Sequence, residues 1–409
     1  MVGGSGELAS ETIPWWTTRQ VYVRNFFNVP LKLEKFLLYG LLICLDSFLF
    51  IFSFLPVRCL LAMLTLLGKM LRVRGLTLTS SQRFDLARCV IFFLSYFLLN
   101  TLDGSYLYHF IRGQASLKLY VIFNLIEIFD KLCCSFGQDI FDYLFATMLP
   151  ESNSPRLENS WRMRVSTAAA LFGAVIYTSL HSLLLFIKVV TLNVSVNAYN
   201  NSLLTLLVSA NFVELKGIVF KSFKTENVFQ IACSDAVERF QILIFLAIVC
   251  VHNLNDLSWQ LTSDTLWNIV YIAFIVAGME LLVDWLKHAF ITRFNKMQSS
   301  IFQNFSRIIA MGVIQHDEVP DSCYTTSKRI GFVSLPLACV VFRVFVGVAP
   351  ISGLLGLCWV TALWLALVTT KCLISLVILS MSVSILGGAS TQTLKSEKLA
   401  TTYAYDKVE

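Results

Sequence analysis

Glu280, Asp284, Lys287 and His288 are the residues of this chain best placed to do chemistry together. Their spacing of i, i+4, i+7 and i+8 puts all four on one helical face, because residues three and four apart stack along an α-helix. Two carboxylates one turn apart repel unless a cation offsets them. These residue types allow a metal site or ion path, or an ion-paired face docked on a neighbouring helix. A metal shell needs further His or Cys donors at ligand spacing, and none accompanies this group in the sequence. The ion-paired face is therefore the expectation.

Asp46 stands near the middle of the apolar stretch 36–55, where a carboxylate is expensive and marks a structural partner or a pathway for an ion or proton. Pro56 follows, so a kink that brings the residue near water is a third reading. Asp139 and Asp142 come after Gly137 and Gln138. The paired aspartates of intramembrane proteases sit in Tyr-Asp and Gly-x-Gly-Asp contexts, and neither context surrounds them. A Gly-x-Ser-x-Gly elbow, a phosphate loop around Gly68 and Lys69, and His-Glu-x-x-His are also missing. The histidines are scattered, and His181, inside an apolar stretch, reads as a hydrogen-bonded packing residue. Most of the eleven cysteines lie in apolar stretches, where a thiol behaves as a small hydrophobe. Cys133 and Cys134 have no matching pair. Neither a disulfide framework nor a zinc site is expected, and no catalytic residue, metal or cofactor is assigned.

Positioning these side chains requires membrane helices. Residues 354–386 run for 33 positions with Lys371 as their sole charge, and such a helix is about 50 Å long against a hydrocarbon core of ~30 Å. Charged residues make up 14% of the chain, well below the roughly 25% of soluble domains. The net charge of +6 comes without a dense Lys/Arg tract, which suits basic flanks at anionic headgroups and gives no signal for nucleic acid. Spans are read at 36–55, 86–102, 166–190, 240–251 with its flanks, 266–286, 330–348 and 354–386. Residues 57–71 are either the second arm of a hairpin or the continuation of a kinked helix. The expected fold is an all-α, polytopic integral membrane protein with about seven to nine membrane helices. Residues 118–132 form an amphipathic helix: Asn124, Glu127, Asp130 and Lys131 share one sector, opposite Val121, Leu125, Ile128, Phe129 and Leu132. It is expected to lie in the interface or pack on the bundle rather than cross.

Charge also suggests sidedness. Residues 1–35 carry Arg19, Arg24, Lys32 and Lys35, with Trp15 and Trp16 as headgroup anchors. Residues 56–84 hold five basic side chains and no acidic one, and 287–329 hold six Lys/Arg against three Asp/Glu. The positive-inside rule places all of these in the cytosol. The organisation read is thus a short polar cytosolic region 1–35, a membrane domain 36–386 and a short polar cytosolic tail 387–409. The first membrane helix is expected to act as its own targeting signal. The basic segment 103–164 resists the count unless a further crossing is hidden in it. Asn193, Asn200 and Asn304 head glycosylation strings that would face the cytosol and go unused.

Six polar strings then carry a resemblance: L-D-G-S-Y-L-Y-H-F-I-R-G-Q (102–114), S-F-G-Q-D-I-F-D (135–142), T-L-N-V-S-V-N (191–197), N-F-V-E-L-K-G-I-V-F-K (211–221), C-S-D-A-V-E-R-F (233–240) and V-D-W-L-K-H-A-F-I-T-R-F-N (283–295). Together they resemble the transmembrane anterior posterior transformation protein family, also named for a cytomegalovirus receptor, over about residues 36–386. The resemblance implies a multi-pass protein of the endoplasmic reticulum. It further implies partnership with a SUN-domain-containing membrane glycoprotein, as in fungal members that protect newly made soluble proteins. Animal members are linked to cilium formation and skeletal patterning. The family carries no established catalytic residues, so none is transferred. The expected function is a non-enzymatic scaffold or chaperone-like factor in protein quality control. Residues 103–142 and 211–240 are its expected docking surfaces, with Asp103, Arg112, Gln114, Asp139, Asp142, Glu214 and Lys216 as candidates. The alternative is an ion channel or transporter using Asp46 and the Glu280, Asp284, Lys287 and His288 face.

Overall fold

The computed structural model describes residues 15–71, 78–114, 116–148, 161–196, 213–218, 221–256, 263–314, 322–348 and 353–387, and every regular element among them is helical. The first helix, α1 (Trp15–Met70), is 56 residues long with Pro30 and Pro56 inside it, about 84 Å at the α-helical rise. Residues 36–55 and 57–71 are therefore one rod and not a hairpin. The others are α2 (Ser80–Asn100), α3 (Gly104–Arg112), α4 (Ser116–Met148), α5 (Trp161–Val196), α6 (Thr225–Asp256), α7 (Ser263–Phe294), α8 (Ile301–Ile314), α9 (Ser322–Ile330), α10 (Ser334–Val348) and α11 (Gly353–Gly387). Thr79 opens α2 through a reciprocal capping box with Gln82. Asp103 accepts from the backbone amides of Ser105 and Tyr106, which starts α3 afresh at a 57° bend from α2.

Three helices are long and apolar enough to cross a membrane, Val23–Lys69, Arg164–Val196 and Gly356–Gly387, and the bent pair α2 and α3 makes a fourth if it is one span. The sequence reading expected about seven to nine. Among the described residues α8, α9 and α10 have only 14, 9 and 15 residues, too short for a ~30 Å core. The helices α6 and α7, which carry several charges each, are not among these spans.

Pairing between distant residues sets the arrangement. Tyr39 bonds Ser382 at 2.7 Å and Asp46 pairs with Lys371 at 2.6 Å, so α11 runs antiparallel to α1. Asn25 bonds the backbone of Met297 and Ser299, and Lys32 donates to the Ser299 hydroxyl. The early part of α1, the turn between α7 and α8 and the end of α11 therefore meet at one end of the molecule. Residues 56–71 and 78–84, from the basic stretch, lie at the other end. Charge counting places both ends in the cytosol, and the long apolar helix α1 runs between them. That far end also holds a disulfide between Cys59 and Cys89, where the sequence reading expected none; the pairing of α1 with α2 joins two cysteines that lie 30 residues apart.

The core is aromatic and tightly spaced. Phe36 and Phe229 both pack edge-on to Phe305 and lie tilted against each other, and Phe48 meets Phe52 and Phe240 edge-on. Helices α1 and α6 touch at Gly40, where an added Cβ would sit 2.8 Å from the Ala236 Cβ. Gly40→Ala should therefore cost about 1 to 3 kcal/mol by overpacking. Thermal unfolding in detergent would read this, and Ala236→Gly in the same protein should restore most of it.

The amphipathic stretch 118–132 is the first half of α4, and of the two expected placements it takes the second, packing on the bundle. It runs antiparallel along α5, with contacts from Thr147 to Thr167, Tyr143 to Ser166, Cys133 to Tyr177 and Asp130 to His181. Its polar sector finds partners on α5 instead of water. Gly137 permits the approach, since a Cβ there would overlap the Tyr177 hydroxyl.

Candidate functional site

Helix α7 turns Asp284, Lys287 and His288 inward, each 1% exposed or less. The Lys287 Nζ lies 2.8 Å from Asp235, 3.0 Å from Asp284 and 3.1 Å from Glu214. His288 Nε2 is 2.6 Å from the other oxygen of Asp235. Asp284 accepts from Arg239 Nε at 2.8 Å, and Arg239 Nη1 reaches both oxygens of Glu34 at 2.9 and 3.0 Å. Asp235, Glu238 and Arg239 on α6 sit at i, i+3 and i+4, so one charged helical face meets another.

The charge continues toward α4 and α5. Lys131 lies 3.6 Å from Glu214 and Glu238 and 3.8 Å from Glu127. Lys188 pairs with Glu127 at 2.6 Å and Asp130 at 3.1 Å, and His181 bridges Asp130 and Tyr177 at 2.9 Å each. Glu214, in the short helical run 213–218, touches both Lys287 and Lys131 and joins the two halves. The result is one seam that binds α1, α4, α5, α6 and α7 by steps of 4 Å or less. Glu280 borders it from α7 without an ion pair among the described residues. Within a membrane bundle such a seam is strong only while every partner is present, because a lone buried charge is costly.

Two groups hold three donors whose ligand atoms lie within 4.8 Å: Asp130 with Cys134 and His181, and Glu214 with Asp235 and Glu238. Both already have protein cations, Lys188 on the first and Lys287 and Lys131 on the second. The arrangement closes without a metal. A second, separate polar contact lies in the bundle, where Asp46 accepts from Lys371 at 2.6 Å and from Ser375 at 2.7 Å.

The structure brings Asp284, Lys287, His288 and Glu214 together, and keeps Asp46 apart from them. The docking candidates scatter. Asp103 caps α3, Gln114 bonds the Phe110 carbonyl, and Asp142 pairs with Lys328 at 2.6 Å. Arg112, Asp139 and Lys216 are exposed. Asn193, a nominal glycosylation site, is buried in α5, and Asn200 lies outside the described residues. Sequence reasoning did not single out Asp235, Arg239, Lys188 or Glu34. A usable signal existed: Asp235 to Arg239 repeats the helical spacing of Asp284 to His288, and Asp46 and Lys371 are opposite charges in two long apolar helices.

A family described as a eukaryotic membrane protein family matches residues 78–387. The chain is 44% identical over 390 residues to "Protein TAPT1 homolog" of Dictyostelium discoideum, covering 93% of this chain and 47% of the relative. It is 37% identical to the human "Transmembrane anterior posterior transformation protein 1 homolog", covering 94% and 66%. The "Endoplasmic reticulum membrane protein 65" of Schizosaccharomyces pombe is 38% identical, over 82% of this chain and 55% of the relative. The chain thus spans about half to two thirds of the length of these relatives. No solved structure matches it. Long apolar helices, a charge seam packed inside them and similarity across most of the chain agree: it belongs to the transmembrane anterior posterior transformation protein family, membrane proteins of the endoplasmic reticulum.

Proposed function

We propose that this chain is a non-enzymatic scaffold of the endoplasmic-reticulum membrane with a chaperone-like role, acting with a SUN-domain-containing membrane glycoprotein in protein quality control. The observation that carries this reading is that the seam's lysines and arginines are all engaged by carboxylates of the same chain. Charge used in this way locks helices and leaves the outer surface for partners. That surface is large: Leu357, Leu365, Leu373, Leu376 and Val383 of α11 are each more than half exposed. A role in cilium formation or skeletal patterning rests on the family resemblance alone.

A transport reading has one observation in its favour. The seam holds eight carboxylates, Glu280 included, against four Lys/Arg side chains and two histidines, so an inorganic cation or proton would find acceptors there. Affinity purification from native membranes separates the two. A dominant SUN-domain partner supports the scaffold; its absence together with ion flux in liposomes supports transport. Arg112→Ala, at an exposed position, should lower partner recovery several-fold with protein abundance unchanged. Recovery at the unaltered level would remove the 103–114 segment from the docking surface.

A further inference from the structure

The exposed face of α4 is apolar and has no helix against it among the described residues. Val121, Leu125, Ile128, Leu132 and Phe136 are each between 52% and 61% exposed, at spacings of four, three, four and four that hold them on one side of the helix. The charges between them turn the other way: Asp130 is buried against His181 and Lys188, Glu127 pairs with Lys188, and Lys131, although 43% exposed, aims its ammonium at Glu127, Glu214 and Glu238. In water this would be an inverted helix, polar inside and oily outside. In a bilayer it is the correct way round.

Length and packing agree. The apolar face is bracketed by two exposed charges, Lys118 and Asp139, about 31 Å apart along the axis, which matches a hydrocarbon core of ~30 Å. Tyr143 follows Asp139 by one turn, where an interfacial aromatic belongs. The helix also lies alongside α5 from Asp130–His181 to Thr147–Thr167, some 25 Å of shared axis, and α5 is itself long and apolar enough to cross. A helix bound to a crossing neighbour over that distance cannot lie in the membrane plane.

We infer that α4 is a membrane-crossing helix whose Val121–Phe136 face meets lipid acyl chains, and that its three central charges are carried through the bilayer on the inner side. Hydropathy averages miss it because they count those charges whichever way they point. The crossing gives the basic segment 103–164 a second side, and it has a consequence for docking. Arg112 and Asp139 fall at opposite membrane faces, so a partner domain on one side reaches only one of them.

The test uses full-length protein in sealed microsomes, with single substitutions at exposed positions near the two ends, Lys118→Cys and Ala146→Cys. A membrane-impermeant maleimide should label one before and the other only after the membrane is opened, above the background of the unaltered chain. A fluorophore on Leu125→Cys or Leu132→Cys in reconstituted protein should be quenched by brominated lipid acyl chains. Labelling of both ends from the same side would overturn the crossing. Opposite labelling without quenching would overturn the lipid assignment, since another protein would then cover the face.

Discussion

Exchanging Lys287 for methionine is expected to leave little folded protein. The ammonium is 1% exposed and sits within 3.1 Å of Asp235, Asp284 and Glu214. Removing it strands three carboxylates that were placed there to face a cation. Breaking a buried pair by deleting one partner typically costs about 3 to 5 kcal/mol, a large share of a total stability on the order of 5 to 15 kcal/mol. Asp284→Asn should act in the same direction, because it frees Arg239 Nε as well as Lys287. Lys35→Met, at an exposed position on α1, is the control and should stay within about 0.5 kcal/mol. Steady-state abundance and thermal unfolding in detergent read all three. A stable, well-folded Lys287→Met protein with altered ion flux would sink the structural role of the seam and make transport the better account.

How much of this was legible follows from what a helix repeats. The inward face of α7 could be read because i, i+3 and i+4 define one side of a helix whatever surrounds it. Its partners could not, since Asp235 is 52 residues from Lys287 and Glu34 is 205 from Arg239; only packing joins them. The sequence shows that 118–132 is two-faced, but not which face is inside. Water around an isolated helix suggests polar outward, and the bundle reverses it by offering Lys188 and His181 to the polar side. Pro56 was ambiguous for a related reason. Proline frees a backbone carbonyl one turn earlier, and in a helix packed on α2 and α11 the neighbours hold the rod together, so the break stays local. Asp103 looked like a docking charge because exposed charge beside a span is rare; its carboxylate is spent on the α3 amides.

The pair between Asp46 and Lys371 gives the sharpest test of whether intramembrane charge here is structural. Each residue is a lone charge deep in a long apolar helix, and the two meet at 2.6 Å with Ser375 bridging at 2.7 and 2.8 Å. Either single change, Lys371→Met or Asp46→Leu, removes this ion pair from the interior of the bundle, and should cost about 3 to 5 kcal/mol. The double substitution removes both charges. It should recover most of that loss, since a buried pair replaced by apolar residues of similar volume is often neutral or stabilising by about 1 to 4 kcal/mol. The exchange Asp46→Lys with Lys371→Asp should fold better than either half alone. A thermal-unfolding double-mutant cycle therefore returns a large coupling energy if the pair joins α1 to α11. Additive losses with no recovery would mean that the two side chains do not act on each other. A double mutant that is as stable as the parent but has lost partner binding would instead show that the α1 and α11 contact orients the docking surface, and that its charges matter for position beyond stability.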